Sequence, residues 1–223
     1  IKYRNMVEED SHENNIFFVD TLIAKAKGPA KNILQSMHAE MFWQYLQNNR
    51  WKFYDRTKLA EEKSKDITTW SIDKLNATIS KLYKASLQND ILLKNTKLDG
   101  LDAIIVKGVN TRQLRSTLYD FLAHRVLEFY MNDETDITKP AYAFKIDDEK
   151  AFAPVGEFVT ASFKTKDTAS LQHKALLLLQ DILKFHIADA SPDALIDADL
   201  IRLNFVHKVS VSTEKEKLYE DAL

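Results

Sequence analysis

The chain has no cysteine, and only four glycines and four prolines among its 223 residues. Without cysteine there is no disulfide, no thiolate zinc site, no iron–sulfur cluster and no cysteine nucleophile. The scarcity of glycine and proline removes the turn chemistry that an all-β sandwich or a Rossmann-type sheet requires, and favours helices joined by short loops. An excess of basic charge is also missing: 31 Lys and Arg face 33 Asp and Glu, a formal net charge of −2. A protein that grips phosphate backbones needs a basic surface, so nucleic acid is not an expected partner. The longest apolar runs, Ile16 to Val19 and Ala175 to Leu179, fall far short of the roughly 20 residues that cross a bilayer. The chain opens Ile1-Lys2-Tyr3-Arg4, with neither Met nor an apolar leader, and Glu214 to Leu223 stops in mid-pattern without a C-cap. Both ends read as those of a piece of a longer protein.

What is present is 45% hydrophobic and 29% charged residues, the balance of a folded globular chain. Between Ile33 and Trp51, Ile33, Met37, Met41 and Tyr45 recur every fourth position with Leu34, Phe42 and Leu46 beside them, which predicts a buried helix. Gly28-Pro29 separates it from a shorter apolar helix over Phe17 to Ala26, so the two should form a hairpin. Arg56 to Asp66 is charge-rich and reads as a solvated helix end or loop. Ile72, Leu75, Ile79, Leu82 and Leu87 mark a third helix that Ser71 can cap. Leu98 to Val109 is too short and apolar to assign to helix or strand. Leu118, Leu122, Val126 and Phe129 then share one face of a clear amphipathic helix, and Thr168 to Ile187 resumes helical order through Leu171, Ala175, Leu178, Leu179, Ile182 and His186. Helical signals close the chain at Leu195 to Val206 and Glu214 to Leu223.

The expected fold class is all-α: an irregular array of helical hairpins, a TPR-like α-α superhelix, with one long and partly extended connection. No repeat of fixed period is found. The connection begins near Asn132, is acidic at Asp133, Glu134 and Asp136, and alternates at Tyr142, Phe144 and Ile146. A single helical domain over 1–223 is the expectation, with 132–166 as the one weak point for a subdivision.

Chemistry-bearing motifs are few. Histidine occurs at positions 12, 38, 124, 173, 186 and 207, with no His-Glu-x-x-His pair to hold zinc. His38-Ala39-Glu40 resembles the His-x-Glu of zinc deaminases, but a chain without cysteine lacks the Pro-Cys-x-x-Cys half of that site. Asp147-Asp148-Glu149 lacks the spaced oxygens and central glycine of a calcium loop, and Asn76-Ala77-Thr78 is a glycosylation triplet inside a predicted helix. Neither a glycine-rich phosphate loop nor a Gly-x-Ser-x-Gly elbow is present, so no catalytic residue, cofactor or metal site is expected. A hydrolase built on His124, Arg125 and Asp120 would require these three to meet in an open pocket. Interface residues are the better candidates. In Trp51-Lys52-Phe53-Tyr54-Asp55-Arg56 aromatics alternate with charges, so Trp51, Phe53, Tyr54 and Arg56 are expected to meet a neighbouring domain or a partner protein.

Two segments carry a resemblance. Residues 33–57, from Ile33-Leu34-Gln35-Ser36-Met37-His38 to Tyr54-Asp55-Arg56-Thr57, and residues 116–130, with the run Thr117-Leu118-Tyr119-Asp120-Phe121-Leu122-Ala123-His124-Arg125, resemble the N-terminal helical region of large bacterial alpha-2-macroglobulin-like, MG2-domain-containing proteins. Thr69-Trp70, Pro140-Ala141-Tyr142 and Lys217-Leu218-Tyr219 fit the same pattern. In that family a thioester between Cys and Gln and a bait region lie far downstream, and the whole protein traps proteases in the cell envelope. The resemblance therefore implies a non-catalytic helical scaffold or docking domain, periplasmic or envelope-associated, whose partners are the next domains of its own chain and, through the full-length protein, proteases. The alternative reading of the same residues is a free-standing helical-repeat adaptor that binds an extended peptide in a concave groove.

Overall fold

The periodic stripes form helices in the computed structural model, which describes residues 11–54, 66–109, 111–132 and 141–223, with side chains from Ile16 onward, Tyr54 excepted. Arg56, most of the charge-rich stretch 56–66 and the acidic residues 133, 134 and 136 lie outside the described residues. The described residues are all-α, with no strand and a single isolated bridge between Lys97 and Thr117. They group into two compact units, Ile1–Thr96 and Lys97–Leu223, and the connection 132–166 lies inside the second.

In the first unit, α1 (Ser11–Lys25) and α2 (Pro29–Asn48) form the expected hairpin. Gly28 turns it with φ of 57°, a conformation costly for a residue with a Cβ, and Pro29 enters α2 where no amide hydrogen is needed. α3 (Arg50–Tyr54), a short 3₁₀ turn (Ile67–Thr69), α4 (Ile72–Ser86) and α5 (Asp90–Asn95) follow. Ser71 caps α4 by accepting from the Lys74 amide at 3.2 Å. The buried stripe of α2 is rotated from the sequence expectation. Met37 is exposed, and the buried positions are Asn32, Ser36, His38, Ala39, Phe42, Trp43, Tyr45 and Leu46. The small side chains of Ser36 and Ala39 allow α4 to lie close against α2, and the Asn32 amide donates to Ser86 O and Gln88 O at 2.9 and 2.8 Å, closing the end of α4. Phe42 stacks on Trp70 at 5.5 Å, with Phe17 edge-on to both.

The second unit contains α6 (Thr111–Leu114), α7 (Leu118–Tyr130), α8 (Val155–Phe158), α9 (Leu171–His186), α10 (Asp193–Val209) and α11 (Lys215–Ala222), with 3₁₀ turns at Leu98–Leu101 and Glu149–Ala151. Leu118, Leu122, Val126 and Phe129 on α7 are buried, as are Leu171, Ala175, Leu178, Leu179 and Ile182 on α9. α9 packs against both α7 and α10. The undecided segment 98–109 is one 3₁₀ turn followed by irregular chain that buries Ile105 and exposes Ile104, Val106 and Val109. Residues 141–170 carry no ladder, and side chains on α9, on α10 and at the end of α10 satisfy part of their backbone instead. Gln180 donates to Phe158 O and Ala161 O, Arg202 to Ala151 O and Ala153 O, and Ser210 to Ile146 O.

Candidate functional site

The expected interface residues separate by burial. Trp51 is 69% exposed on α3, with Lys52 Nζ 5.4 Å from its ring. Phe53, two positions on, is only 6% exposed and meets Tyr45 edge-to-face at 6.4 Å. A two-residue step on one short helix turns a side chain through about 200°, so Trp51 and Phe53 point to opposite sides. Phe53 is therefore core and Trp51 surface. Tyr54 ends α3 with its side chain outside the described residues, as is Arg56.

A cleft of about 590 Å³ opens in the second unit between the Glu149–Ala151 turn, α8, α10 and α11. Its floor is Arg202, a cation with 1% exposure in the middle of α10. The guanidinium lies 4.5 Å from the Phe158 ring centroid, donates to Ala151 O at 3.1 Å and Ala153 O at 2.7 Å, and pairs through Nε with Asp199 at 2.7 Å. Burial pulls its pKa down and Asp199 opposes the fall; an arginine remains charged under these conditions. Glu149, Glu157 and Asp221 stand around the rim with Lys150. Tyr219 holds α11 beside the cleft by stacking on His207 at 4.3 Å and donating to Asn204 at 2.8 Å.

A cluster of titratable side chains lies where α7 meets the end of α9. Thr117 caps α7: its amide and hydroxyl both donate to Asp120 Oδ2 at 2.9 Å, and the Asp120 amide donates back to its Oγ at 3.3 Å. Asp120 is fully buried, and its Oδ1 lies 3.0 Å from Nε2 of His186, itself 3% exposed. Nδ1 of the same ring is 2.7 Å from Asp189 Oδ2. Burial disfavours the Asp120 carboxylate, but His186 and the Thr117 donors outweigh it and hold its pKa below the usual value. Burial likewise disfavours the His186 cation, and the two carboxylates outweigh it and raise its pKa.

Asp120, His124 and Arg125 do not assemble the hydrolase arrangement. The Asp120 carboxylate faces His186, whereas His124 Nδ1 bonds the Asp120 main-chain carbonyl at 2.8 Å and Arg125 lies over the Phe121 ring at 5.7 Å. Burial, then Arg115, lowers the His124 pKa. Asp148 of the acidic loop caps the Glu149–Ala151 turn by accepting from the Lys150 amide at 2.9 Å. Among the described residues no group of three or more His, Asp or Glu side chains is arranged to hold a metal ion.

Sequence reasoning missed His186, Asp189 and Arg202. Arg202 had a signal, a lone cation at the centre of an apolar helix, and Thr117-x-x-Asp120 had the spacing of a capping box. The pairing of residues 66 positions apart had none. No protein-family model, no curated protein and no solved structure matches the chain.

Proposed function

We propose that this chain is a non-catalytic helical scaffold and docking domain of a large bacterial alpha-2-macroglobulin-like envelope protein, in which it spaces and holds the macroglobulin domains of a protease trap. The observation that carries the reading is the use made of the run Thr117 to Arg125, the part most like that family. Its threonine and aspartate are committed to a helix cap and a buried ion pair, and its histidine bonds its own helix backbone. Residues used in this way stabilise a platform. Trp51, a large exposed aromatic, is the proposed contact to the neighbouring domain, because tryptophan contributes strongly when an interface desolvates it. The size of the native gene product tests the proposal: an immunoblot of the source cells should show a band many times larger than this chain, in the envelope fraction. In that full-length protein, Trp51→Ala should raise protease sensitivity at the junction with the next domain. A free-standing product of this size, or unchanged sensitivity, defeats the proposal.

A second reading has one observation in its favour. The cleft over Arg202, with apolar walls at Phe152, Pro154, Val155 and Leu218 and acidic groups at its rim, suits an extended peptide with basic side chains, as in a TPR-like adaptor. A product of this chain's own size would make this the leading function, and peptide-array binding abolished by Glu157→Lys would test it.

A further inference from the structure

A neutral imidazole has one N–H and one bare lone pair, whereas both ring nitrogens of His186 face carboxylate oxygens, at 3.0 Å from Asp120 and 2.7 Å from Asp189. Only the cationic ring can donate to both. The position reinforces this, since His186 is the last residue of α9, where the carbonyl end of the helix favours a positive charge. The two acceptors are unequal. Asp120 is fully buried and held in place by the Thr117 cap, while Asp189 is 42% exposed and lies in the turn 187–192, every residue of which is exposed. The turn is tied to α9 by the His186–Asp189 side-chain bond, by the Asp189 amide donating to His186 O at 3.0 Å, and by the Ile187 amide donating to Leu183 O at 3.0 Å.

We propose that the proton on His186 is a latch: while present it closes the turn 187–192 between α9 and α10, and its loss frees Asp189 while Asp120 stays bound. The neutral ring keeps its hydrogen on Nε2, because the buried Asp120 has no water to replace that donor. Nδ1 then presents a lone pair to Asp189, which turns out to solvent. Four other titratable groups on the packed elements are engaged elsewhere. Asp193 accepts from the Ser191 hydroxyl, Asp197 faces Arg115, Asp199 pairs with Arg202, and His124 bonds a main-chain carbonyl. On α9 itself, Asp181 and Lys184 lie on the exposed face. The device is a pH-sensitive hinge between α9 and α10, closed in acid and released in alkali.

The test is a pH series on the intact chain, following the His186 ring nitrogens by NMR and the exchange protection of the Asp189 amide in the same samples. Protection should be flat while the ring is cationic and then fall by up to about tenfold per pH unit, the limit for release of one proton, while α7 amides keep theirs. Asp189→Asn supplies the second arm. An asparagine amide donates to the bare Nδ1, so this variant should keep its turn protection across the whole series. A ring already neutral at pH 6, wild-type protection that ignores the ring's titration, or an Asp189→Asn variant that follows the wild-type pH curve would each overturn the latch.

Discussion

Nε2 of His186 meets Oδ1 of Asp120 at 3.0 Å, with both side chains buried, and this one contact joins α9 to the capped first turn of α7. The cap and the ion pair share one carboxylate, so loss of Asp120 removes both. Asp120→Ala should destabilise the second unit by about 3–5 kcal/mol, because it leaves Nε2 of a buried imidazole without its partner. Thr117→Ala, which removes one hydroxyl of the cap, should cost about 1 kcal/mol. Urea midpoints for the two variants check the ranking, and equal losses would mean that the histidine contact is energetically idle.

His38 and His186 should respond to pH in opposite directions, while His124, whose pKa is lowered, acts in the same direction as His38. In the first unit, His38 is buried beside Phe42, and burial lowers its pKa despite an Asp20 oxygen 3.5 Å from Nδ1. The unfolded chain then takes up a proton more readily than the folded unit, so its stability is full above the ordinary value of 6.5 and falls as pH drops below it. In the second unit, the raised pKa of His186 gives stability that is full below 6.5 and is lost as pH rises through the folded value. Asp120, whose pKa is lowered, adds a loss only as pH falls below 3.8. Hydrogen exchange of α2 and α4 below pH 6.5 should show protection rising with pH, and exchange of the turn that follows α9 should show it falling above pH 6.5.

Arg202 closes the floor of the cleft by holding two carbonyls and an aspartate at once. Arg202→Met should destabilise the second unit by about 3–5 kcal/mol through the unpaired Asp199 and the two abandoned carbonyls. Arg202→Lys should recover little, since an ammonium lacks the planar fork that reaches both carbonyls while lying over Phe158. Exchange at residues 149–158 should rise in both variants, and wild-type behaviour of the lysine variant would show that charge alone suffices.

Trp51 and Phe53 contrast in exposure on one short helix. Phe53→Ala should cost about 3–5 kcal/mol as a core truncation, and Trp51→Ala no more than about 0.5 kcal/mol. Thermal melts of the two variants decide it; a large loss at Trp51 would assign that ring to the fold instead of to a surface.

Much of the fold was legible because helix periodicity is a local property. The Leu118, Leu122, Val126 and Phe129 face and the α9 stripe are both buried as their spacing requires, and Ser71 caps the helix it precedes. The buried stripe on α2 departs from its hydrophobic pattern because side-chain size and hydrogen bonding also select what faces a neighbouring helix. Helix contact with α4 selected Ser36 and Ala39 for their small size and Asn32 for its amide, and left Met37 in solvent. The connection after Asn132 showed no periodicity because its order comes from elsewhere in the chain, through Gln180, Arg202 and Ser210.

The candidate site was less legible for the same reason. Alternation in Trp51 to Arg56 announced that some aromatics face outward, but not that Phe53 turns inward to Tyr45. By itself the sequence determined that the chain is helical, where most helices begin, and that no cysteine chemistry is available, since all three depend on composition or on residues within a few positions of one another. Only the tertiary structure decided which polar residues matter. A buried polar group is tolerated where a partner meets it, and His186, Ser86 and Ala151, which meet Asp120, Asn32 and Arg202, lie tens of positions away, at distances the folded chain alone sets.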